Sequence, residues 1–200
     1  PPMKAIELEY PYNSDIFTEE YINNKNIEIT TLIDGTMINL FYHNNKWFMS
    51  TRSDIGCLNK WNNKLNFKRM FNEIINNDQF YDNLNKNYTY SFVLVHKSNR
   101  NVSNIYNNSI TLIQVNDKNT LEKINLDNIV IENVNILINN EVNINYINNL
   151  ISTSDYNLKG INLNIDNIRY KLINPKFKDV KNLSINSGNI LEKYIVLKKK

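Results

Sequence analysis

The sequence contains few of the residues that usually bind metals or carry acid–base catalysis. Among its 200 residues there is one cysteine, Cys57, and there are two histidines, His43 and His96. A single cysteine excludes an internal disulfide. These three residues also cannot supply the four Cys or His ligands of a structural zinc site. Only four glycines and four prolines are present, which excludes a collagen-like chain and an array of flexible linkers.

Long hydrophobic runs are also missing. No apolar stretch approaches the roughly 20 residues that span a bilayer, and the residues after Met3 do not form a signal peptide. The net charge of +3 is too small to identify a nucleic-acid partner by itself. We therefore expect no membrane association and a cytoplasmic location, in the host cytoplasm if the chain is viral.

The composition is otherwise that of a folded protein. With 42% hydrophobic and 22% charged residues, the chain can bury a core. Its length predicts a single domain over residues 1–200, without a separate C-terminal OB or helical domain. The sequence has 42 Asn and 28 Ile residues. This bias predicts an AT-rich genome, such as that of a protozoan or a large DNA virus, and it makes Asn-rich stretches poor indicators of function.

The hydrophobic pattern predicts an α+β fold whose strands are mostly antiparallel. Apolar residues within 67–75 recur at the spacing of an amphipathic helix, which we expect to end at Asn76. Since Asn tolerates positive φ angles, His43-Asn44-Asn45 predicts a hairpin turn. Further helices are predicted over 142–151 and from Asn174-Pro175, with Phe177 and Val180 facing inward. Strands are predicted at 27–30, 37–42, 46–51, 88–95, 110–115, 160–165 and 168–173, and a β-like alternation extends over 121–140.

Five segments follow one another in an informative order. Each is weak alone, because an Asp-Gly pair is usually only a turn, but their order and their strand contexts add specificity. The segments are Thr31-Leu32-Ile33-Asp34-Gly35-Thr36, Ser50-Thr51-Arg52-Ser53, Ser91-Phe92-Val93-Leu94-Val95 with the following residues to Val102, Lys159-Gly160-Ile161-Asn162-Leu163, and Arg169-Tyr170-Lys171-Leu172-Ile173 with the following residues to Phe177.

This succession, over residues 27–182, resembles the adenylyltransferase core of RNA ligases. These belong to the covalent nucleotidyltransferase superfamily, with DNA ligases and capping guanylyltransferases, and the similarity is strongest to divergent ligase-like proteins of large DNA viruses. The resemblance implies a nucleotidyltransferase fold, an ATP-grasp-like ligase core of mostly antiparallel sheets with a few flanking helices. In that family the lysine of a Lys-x-Asp-Gly motif attacks the α-phosphate of ATP or GTP, with a bound metal.

Three positions depart from the family pattern. Leu32 occupies the position of the nucleophilic lysine, and leucine has no lone pair with which to attack phosphorus. Val93 and Lys159 align with two carboxylates, whose loss removes oxygen ligands that Mg²⁺ needs. The sequence therefore predicts a pseudoenzyme without catalytic residues, without a metal site and without a cofactor.

The resemblance implies that the anion-binding side of the site is retained. Arg52, Arg169 and Lys171 match positions whose cations contact phosphates, and Arg100 lies in an Asn-Arg segment shared with RNA ligases. Guanidinium groups hold phosphate with two parallel hydrogen bonds, whereas lysine acts as a point charge.

Other residues are predicted to line the pocket or to stack on a base. The predicted pocket residues are Leu32, Asp34, Gly35, Phe92 and Lys159. Four aromatic residues lie inside the motif strands, namely Trp47, Phe48, Phe92 and Tyr170, and an aromatic ring can hold an unpaired base. Of these, Trp47 and Phe92 are the candidates for base stacking.

Three functions fit these observations. The first is a catalytically degenerate ligase-like domain that binds RNA, a nucleotide or a capped 5′ end. The second is an active RNA ligase or guanylyltransferase with a displaced nucleophile. The third is a scaffold subunit of a larger viral or cellular complex, with protein partners.

Overall fold

A computed structural model of the chain describes residues 2, 4–8, 27–60, 65–76, 78–99, 101–127, 129–137, 144–166, 168–183, 191, 194, 195 and 198. The chain divides into two compact units. The first comprises Asp34–Ile138 with Pro1–Met3, and the second comprises Lys4–Ile33 with Asn139–Lys200. That the whole chain is one domain stays a prediction.

The described residues contain ten strands, three α-helices and a turn of 3₁₀ helix at Asp78–Tyr81. In chain order the elements are β1 (Ile6–Leu8), β2 (Ile27–Thr31), β3 (Thr36–His43), β4 (Lys46–Ser50), α1 (Phe67–Ile75), β5 (Tyr88–Val95), β6 (Ser109–Asp117), β7 (Lys123–Ile124), β8 (Asn135–Ile136), α2 (Ile144–Thr153), β9 (Gly160–Ile165), β10 (Ile168–Ile173) and α3 (Pro175–Leu183). No helix in the described part of the chain is long and apolar enough to cross a membrane.

The first unit is built on a sheet with the order β4-β3-β5-β6, and the short strands β7 and β8 both pair with β6. All pairs are antiparallel except β6 with β8. Helix α1 contributes Phe67, Met70, Phe71 and Ile75 to the core, where the Phe71 and Phe92 ring centroids are 5.6 Å apart. The apolar stripe that predicted this helix is therefore the side that packs on the sheet.

Asparagine defines both ends of helix α1. The Oδ1 atom of Asn66 accepts a hydrogen bond from the N–H of Arg69 at 2.9 Å, which satisfies one of the donors left over at a helix start. At the other end Asn76 adopts a left-handed conformation, with φ 39°, and its N–H donates to the carbonyl of Asn72. The predicted end of the helix at Asn76 is confirmed.

The second unit is a four-stranded sheet with the order β1-β10-β9-β2. Strand β1 runs parallel to β10, and the other pairs are antiparallel. One face of the sheet carries Tyr170, Leu163 and Ile29 in register, and it forms a core with Ile147 and Ile151 of α2. Because side chains alternate along a strand, the other face carries the polar residues of these strands.

The predicted α+β class with mostly antiparallel strands is confirmed, and so are the hairpin and the strands at 88–95, 160–165 and 168–173. The predicted helix at 142–151 lies at Ile144–Thr153 in the described residues. Within the described residues of 121–140, where the sequence predicts a β-like alternation, the strands are β7 and β8, of two residues each. Val180 is half-buried, whereas Phe177 is buried as predicted.

The buried thiol of Cys57 gives a first prediction. Burial, and secondarily the nearby Asp54 carboxylate, raises the pKa of Cys57 from 9.0 to about 12. Since the thiolate is the reactive form, we expect the native protein to resist an aromatic disulfide reagent at pH 8. One thiol per chain should react after unfolding in guanidinium chloride. Rapid stoichiometric labelling of the native protein would contradict this.

Candidate functional site

The residues predicted from the sequence divide between the two units. Asp34, Gly35, Trp47, Arg52 and Phe92 belong to the first unit, and Leu32, Lys159, Arg169 and Lys171 belong to the second. Arg100 lies outside the described residues.

In the first unit the carboxylate of Asp34 holds a loop. Its Oδ2 atom accepts hydrogen bonds from the N–H groups of Val102, at 2.7 Å, and Ser103, at 3.1 Å. The side-chain amide of Asn101 donates to the carbonyl oxygen of Asp34. Hydrogen bonds to a charged acceptor are among the stronger ones in proteins. Asp34 therefore ties the start of β3 to the segment that follows β5.

A second set of contacts anchors the same loop. The amide of Asn99 donates to Oγ1 of Thr36 at 2.9 Å. His96, only 3% exposed, accepts the N–H of Ser98 at its Nδ1 atom, at 3.1 Å, and its Nε2 lies 3.2 Å from Oε2 of Glu73. Because Nδ1 is an acceptor, the proton of the neutral ring lies on Nε2 and is donated to Glu73.

Sequence reasoning did not single out His96, Asn99 or Asn101 for this role. In a chain with 42 asparagines, the presence of an asparagine at positions 99 and 101 carries no signal of its own. The available signal was their position, immediately after the apolar strand β5.

Gly35 is required by the closeness of two backbones. A Cβ atom added there would lie 2.5 Å from the carbonyl oxygen of Leu94 and 2.6 Å from Cγ1 of Val93, which real Cβ contacts do not reach. Val93 is half-buried and packs at this close approach.

The two residues predicted to stack on a base are engaged in the protein core. Phe92 is 0% exposed, with rings of Phe71 and Tyr90 around it, so no face of it is open to a base or to a pocket. Trp47 is half-buried on the same side of the sheet, with ring centroids of Tyr81 and Tyr90 within 6.4 Å. The structure therefore does not support Phe92 as a pocket residue, and it gives Trp47 a packing role.

Arg52 lies in the turn that follows β4 and is exposed. The turn is ordered by the hydroxyl of Thr51, which accepts the N–H of Asp54 at 3.1 Å. An exposed guanidinium on an ordered turn is accessible to an anion.

In the second unit Leu32 and Lys159 both lie beside the start of β9. The N–H of Leu32 donates to the carbonyl of Gly160 at 2.8 Å, and the Leu32 side chain is half-buried. The Lys159 ammonium donates to the carbonyl oxygen of Ile33 at 3.4 Å and lies 6.0 Å from the centroid of the Phe177 ring. Lys159 is therefore integrated into the structure of this unit.

Gly160 is the second position that only glycine can occupy without strain. Its φ of 149° lies in a region that other residues avoid. A Cβ atom there would also collide with the carbonyl oxygen of Leu172 on the adjacent strand β10. The glycines of the Asp-Gly and Lys-Gly motifs are thus both explained by backbone packing.

The polar face of the second sheet brings Arg169 and Lys171 together, as their alternation on β10 predicted. Lys171 pairs in register with Asn162, which pairs with Thr30. The Arg169 Nε donates to Oδ1 of Asn162, whose amide in turn donates to the hydroxyl of Thr30 at 3.3 Å. Burial lowers the pKa of Arg169 below its ordinary value. A half-buried guanidinium is thus held in place by a hydrogen-bonded row of side chains.

Two carboxylates share this face. Glu28 accepts a hydrogen bond from the amide of Asn164 at 3.2 Å, and Glu7 lies 3.8 Å from the ammonium of Lys178. The face is therefore a mixed-charge, hydrogen-bonding surface, on which a phosphate would compete with carboxylates for the cations.

This architecture is similar to the fold of solved RNA ligase structures. Solved structures of the RNA ligase of Naegleria gruberi are similar to it: an apo mutant has a TM-score of 0.58 at 12% identity, with 91% of this chain and 58% of that chain covered. A mutant with ATP and Mn gives 0.54 at 13% identity, with coverages of 91% and 63%. A mutant with AMP and Mn gives 0.52 at 13%, with coverages of 82% and 53%.

The chain thus spans between about half and three-fifths of the length of these ligases. No protein-family model matches the sequence, and no curated protein matches it significantly. The predicted resemblance to RNA ligases is confirmed at the level of the fold, and the affiliation with large DNA viruses stays a prediction.

Some of the solved RNA ligase structures contain Mn. In this chain the Lys159 ammonium is bonded to the carbonyl of Ile33, and it would repel a cation placed beside it. Val93 offers no oxygen. No group of three or more His, Cys, Asp or Glu side chains within the described ranges could hold a metal ion.

The hydrogen bonds of Asp34 give a second prediction. The Asp34→Ala variant should lower the free energy of unfolding by about 1.5–3 kcal/mol, because two backbone N–H groups lose a charged acceptor. Asp34→Asn, which keeps an acceptor oxygen, should lose less. Urea denaturation measures both, and Asp127→Ala, at an exposed position, is the matched control. Equal stability of Asp34→Ala and Asp127→Ala would contradict the role of Asp34 in holding the loop after β5.

Proposed function

We propose that this chain is a catalytically inactive, ligase-like domain that binds the phosphates of a nucleotide or of an RNA 5′ end, capped or uncapped. The observation that carries the proposal is the arrangement of Arg169 and Lys171 on one face of β10, with the guanidinium of Arg169 held by Asn162. Arg52, which is exposed in the first unit, and Arg100 are further candidates for contacts with phosphate, and both come from the sequence resemblance.

The physical basis is charge in a partly desolvated setting. A guanidinium that is already desolvated and oriented loses little further freedom when it binds phosphate. Phosphate carries more charge than a carboxylate and can accept from both cations, so it can displace the carboxylates of Glu7 and Glu28 as the partner of this face. The solved ligase structures with ATP and with AMP support a nucleotide as the kind of ligand.

The same residues argue against nucleotidyl transfer. Leu32 cannot form a phosphoramidate, and Lys159 disfavours the metal that would assist the step. No chemical step is therefore assigned to this chain. A function as a scaffold subunit makes no use of the arrangement around Arg169, so it is the outcome that a failure of ligand binding would favour.

The proposal is tested with a panel of ATP, GTP, a cap analogue and a short 5′-phosphorylated RNA, each with Mg²⁺ or with EDTA. A ligand that binds only the folded protein raises its melting temperature. We expect at least one member of the panel to do so, equally in both conditions, because Val93 and Lys159 replace carboxylates. A tenfold loss of affinity in EDTA would contradict metal-independent binding, and no shift with any ligand would remove the proposal.

Substitutions test which residues contact the ligand that binds. Lys171→Ala should weaken binding of the ligand by about 1–3 kcal/mol, through loss of a charge-assisted hydrogen bond. Arg52→Ala tests the first unit separately, and a loss of the same size would give Arg52 a contact with phosphate as well. Both side chains reach solvent, so the melting temperature without ligand should change little. Lys118→Ala, at an exposed position on the turn after β6, is the matched loss of one positive charge. If Lys118→Ala weakens binding as much, the effect is only one of net charge.

A further prediction concerns the position of the nucleophile. Restoring the lysine with Leu32→Lys should not produce a covalent adduct with α-labelled ATP or GTP, because Val93 and Lys159 remain. Denaturing electrophoresis detects such an adduct, since a phosphoramidate survives denaturation. Label on the variant, or on the unmodified protein, would show that the chain retains catalytic machinery and would overturn its assignment as an inactive domain.

A further inference from the structure

The end of the β3–β4 hairpin near its turn carries a pair of stacked rings that the proposed phosphate site does not use. Phe41 and Phe48 are cross-strand partners in register, with ring centroids 5.7 Å apart and planes inclined by only 11°. Both side chains are half-buried, so part of each ring reaches solvent. They lie on the face of the sheet opposite to Tyr42 and Trp47, which pack on the core side.

Cationic and polar groups border this ring pair. The ammonium of Lys46 lies 5.1 Å from the centroid of the Phe48 ring, and the His43 ring lies 6.3 Å from it. Both residues are exposed and oppose each other across the tight turn at Asn44 and Asn45, where φ is 46° and 59°. The register of the hairpin thus places a positive charge beside an aromatic surface.

The neighbouring strands continue the same face with uncharged side chains. Phe41 pairs in register with Thr89, which pairs with Asn116. The amide of Gln114 donates to Oδ1 of Asn116 at 2.6 Å, which shows that the two side chains share this face. These registered positions carry no carboxylate, and their amides and hydroxyl are groups that hydrogen-bond to base edges.

We propose that this face, defined by Phe41, Phe48, Lys46, Asn116 and Gln114, binds unpaired nucleotides of a single-stranded RNA. Bases would stack on the two rings, the Lys46 ammonium would move to the adjoining phosphate, and the two amides would meet base edges. Sheets that display aromatic rings among polar side chains bind single-stranded RNA by this chemistry. The inference rests on the proposed function in one respect, namely that RNA is the ligand class.

The test uses the full chain and a fluorescently labelled ten-nucleotide adenosine RNA with a 5′-phosphate, with ATP as a separate probe. A double variant, Phe41→Leu with Phe48→Leu, keeps apolar volume but removes both rings. We expect it to bind the oligonucleotide at least about tenfold more weakly, since each stacked base contributes substantially. Binding of ATP should be unchanged. Tyr106→Leu, which removes a 76% exposed ring elsewhere in the first unit, should change neither affinity.

A second measurement does not depend on the variant being folded. Ultraviolet irradiation of the unmodified protein with the same RNA should attach a nucleotide to peptides that contain Phe41 or Phe48, as identified by mass spectrometry. Crosslinks confined to other peptides, or an oligonucleotide affinity that is unaffected by the double substitution, would overturn the inference. So would an absence of any RNA binding.

The outcomes also separate this inference from the proposed function. If Lys171→Ala loses ATP binding while the Phe41/Phe48 double variant binds RNA normally, the proposed phosphate site is supported and the proposed RNA-binding face is contradicted. RNA binding that depends on the two rings, without any effect of Lys171→Ala or Arg52→Ala, would support the RNA-binding face and remove the phosphate site.

Discussion

The start of β3 depends on the close approach of the Gly35 backbone to strand β5. The backbone at Gly35 passes so near the carbonyl of Leu94 that no side chain fits. Asp34, one residue earlier, accepts two backbone N–H groups from the loop after β5, and Asn99 bonds to Thr36, one residue later. The start of β3 is therefore held on three consecutive residues. Register along β3 follows from this point, and with it the side chains that face the core.

The second unit repeats this logic at Gly160. The residue adopts a φ of 149° against the backbone of β10, and its carbonyl accepts the N–H of Leu32. The motif residues that serve backbone packing, Asp34, Gly35 and Gly160, are all present. Asp34 holds the loop that follows β5, and each of the two glycines allows a close approach of two backbones. The contacts of these three motif residues are therefore explained by the packing of the fold.

The exposure of each aromatic ring depends on which face of the first sheet it occupies. Phe92 and Trp47 lie within the motif strands, but both face the core side of the sheet, where α1 and neighbouring aromatic rings cover them. Phe41 and Phe48 lie on the other face and remain partly open. Alternation along a strand divides residues into two faces, but it does not say which face is covered. The pairing of the strands and the position of α1 supply that information.

The sequence by itself determined the local structure and the order of the motifs. The 3.6-residue periodicity specified α1, asparagine's tolerance of positive φ specified the hairpin turn, and alternation put Arg169 and Lys171 on one face, because each of these features depends on neighbours within a few residues. Only the tertiary structure decided the role of particular asparagines. Asn101 bonds to Asp34, 67 residues earlier in the chain, and Asn162 bonds to Thr30, 132 residues earlier, so their roles depend on contacts that are distant in sequence. It also decided that Lys159 is bonded to Ile33, 126 residues away, which no local pattern encodes.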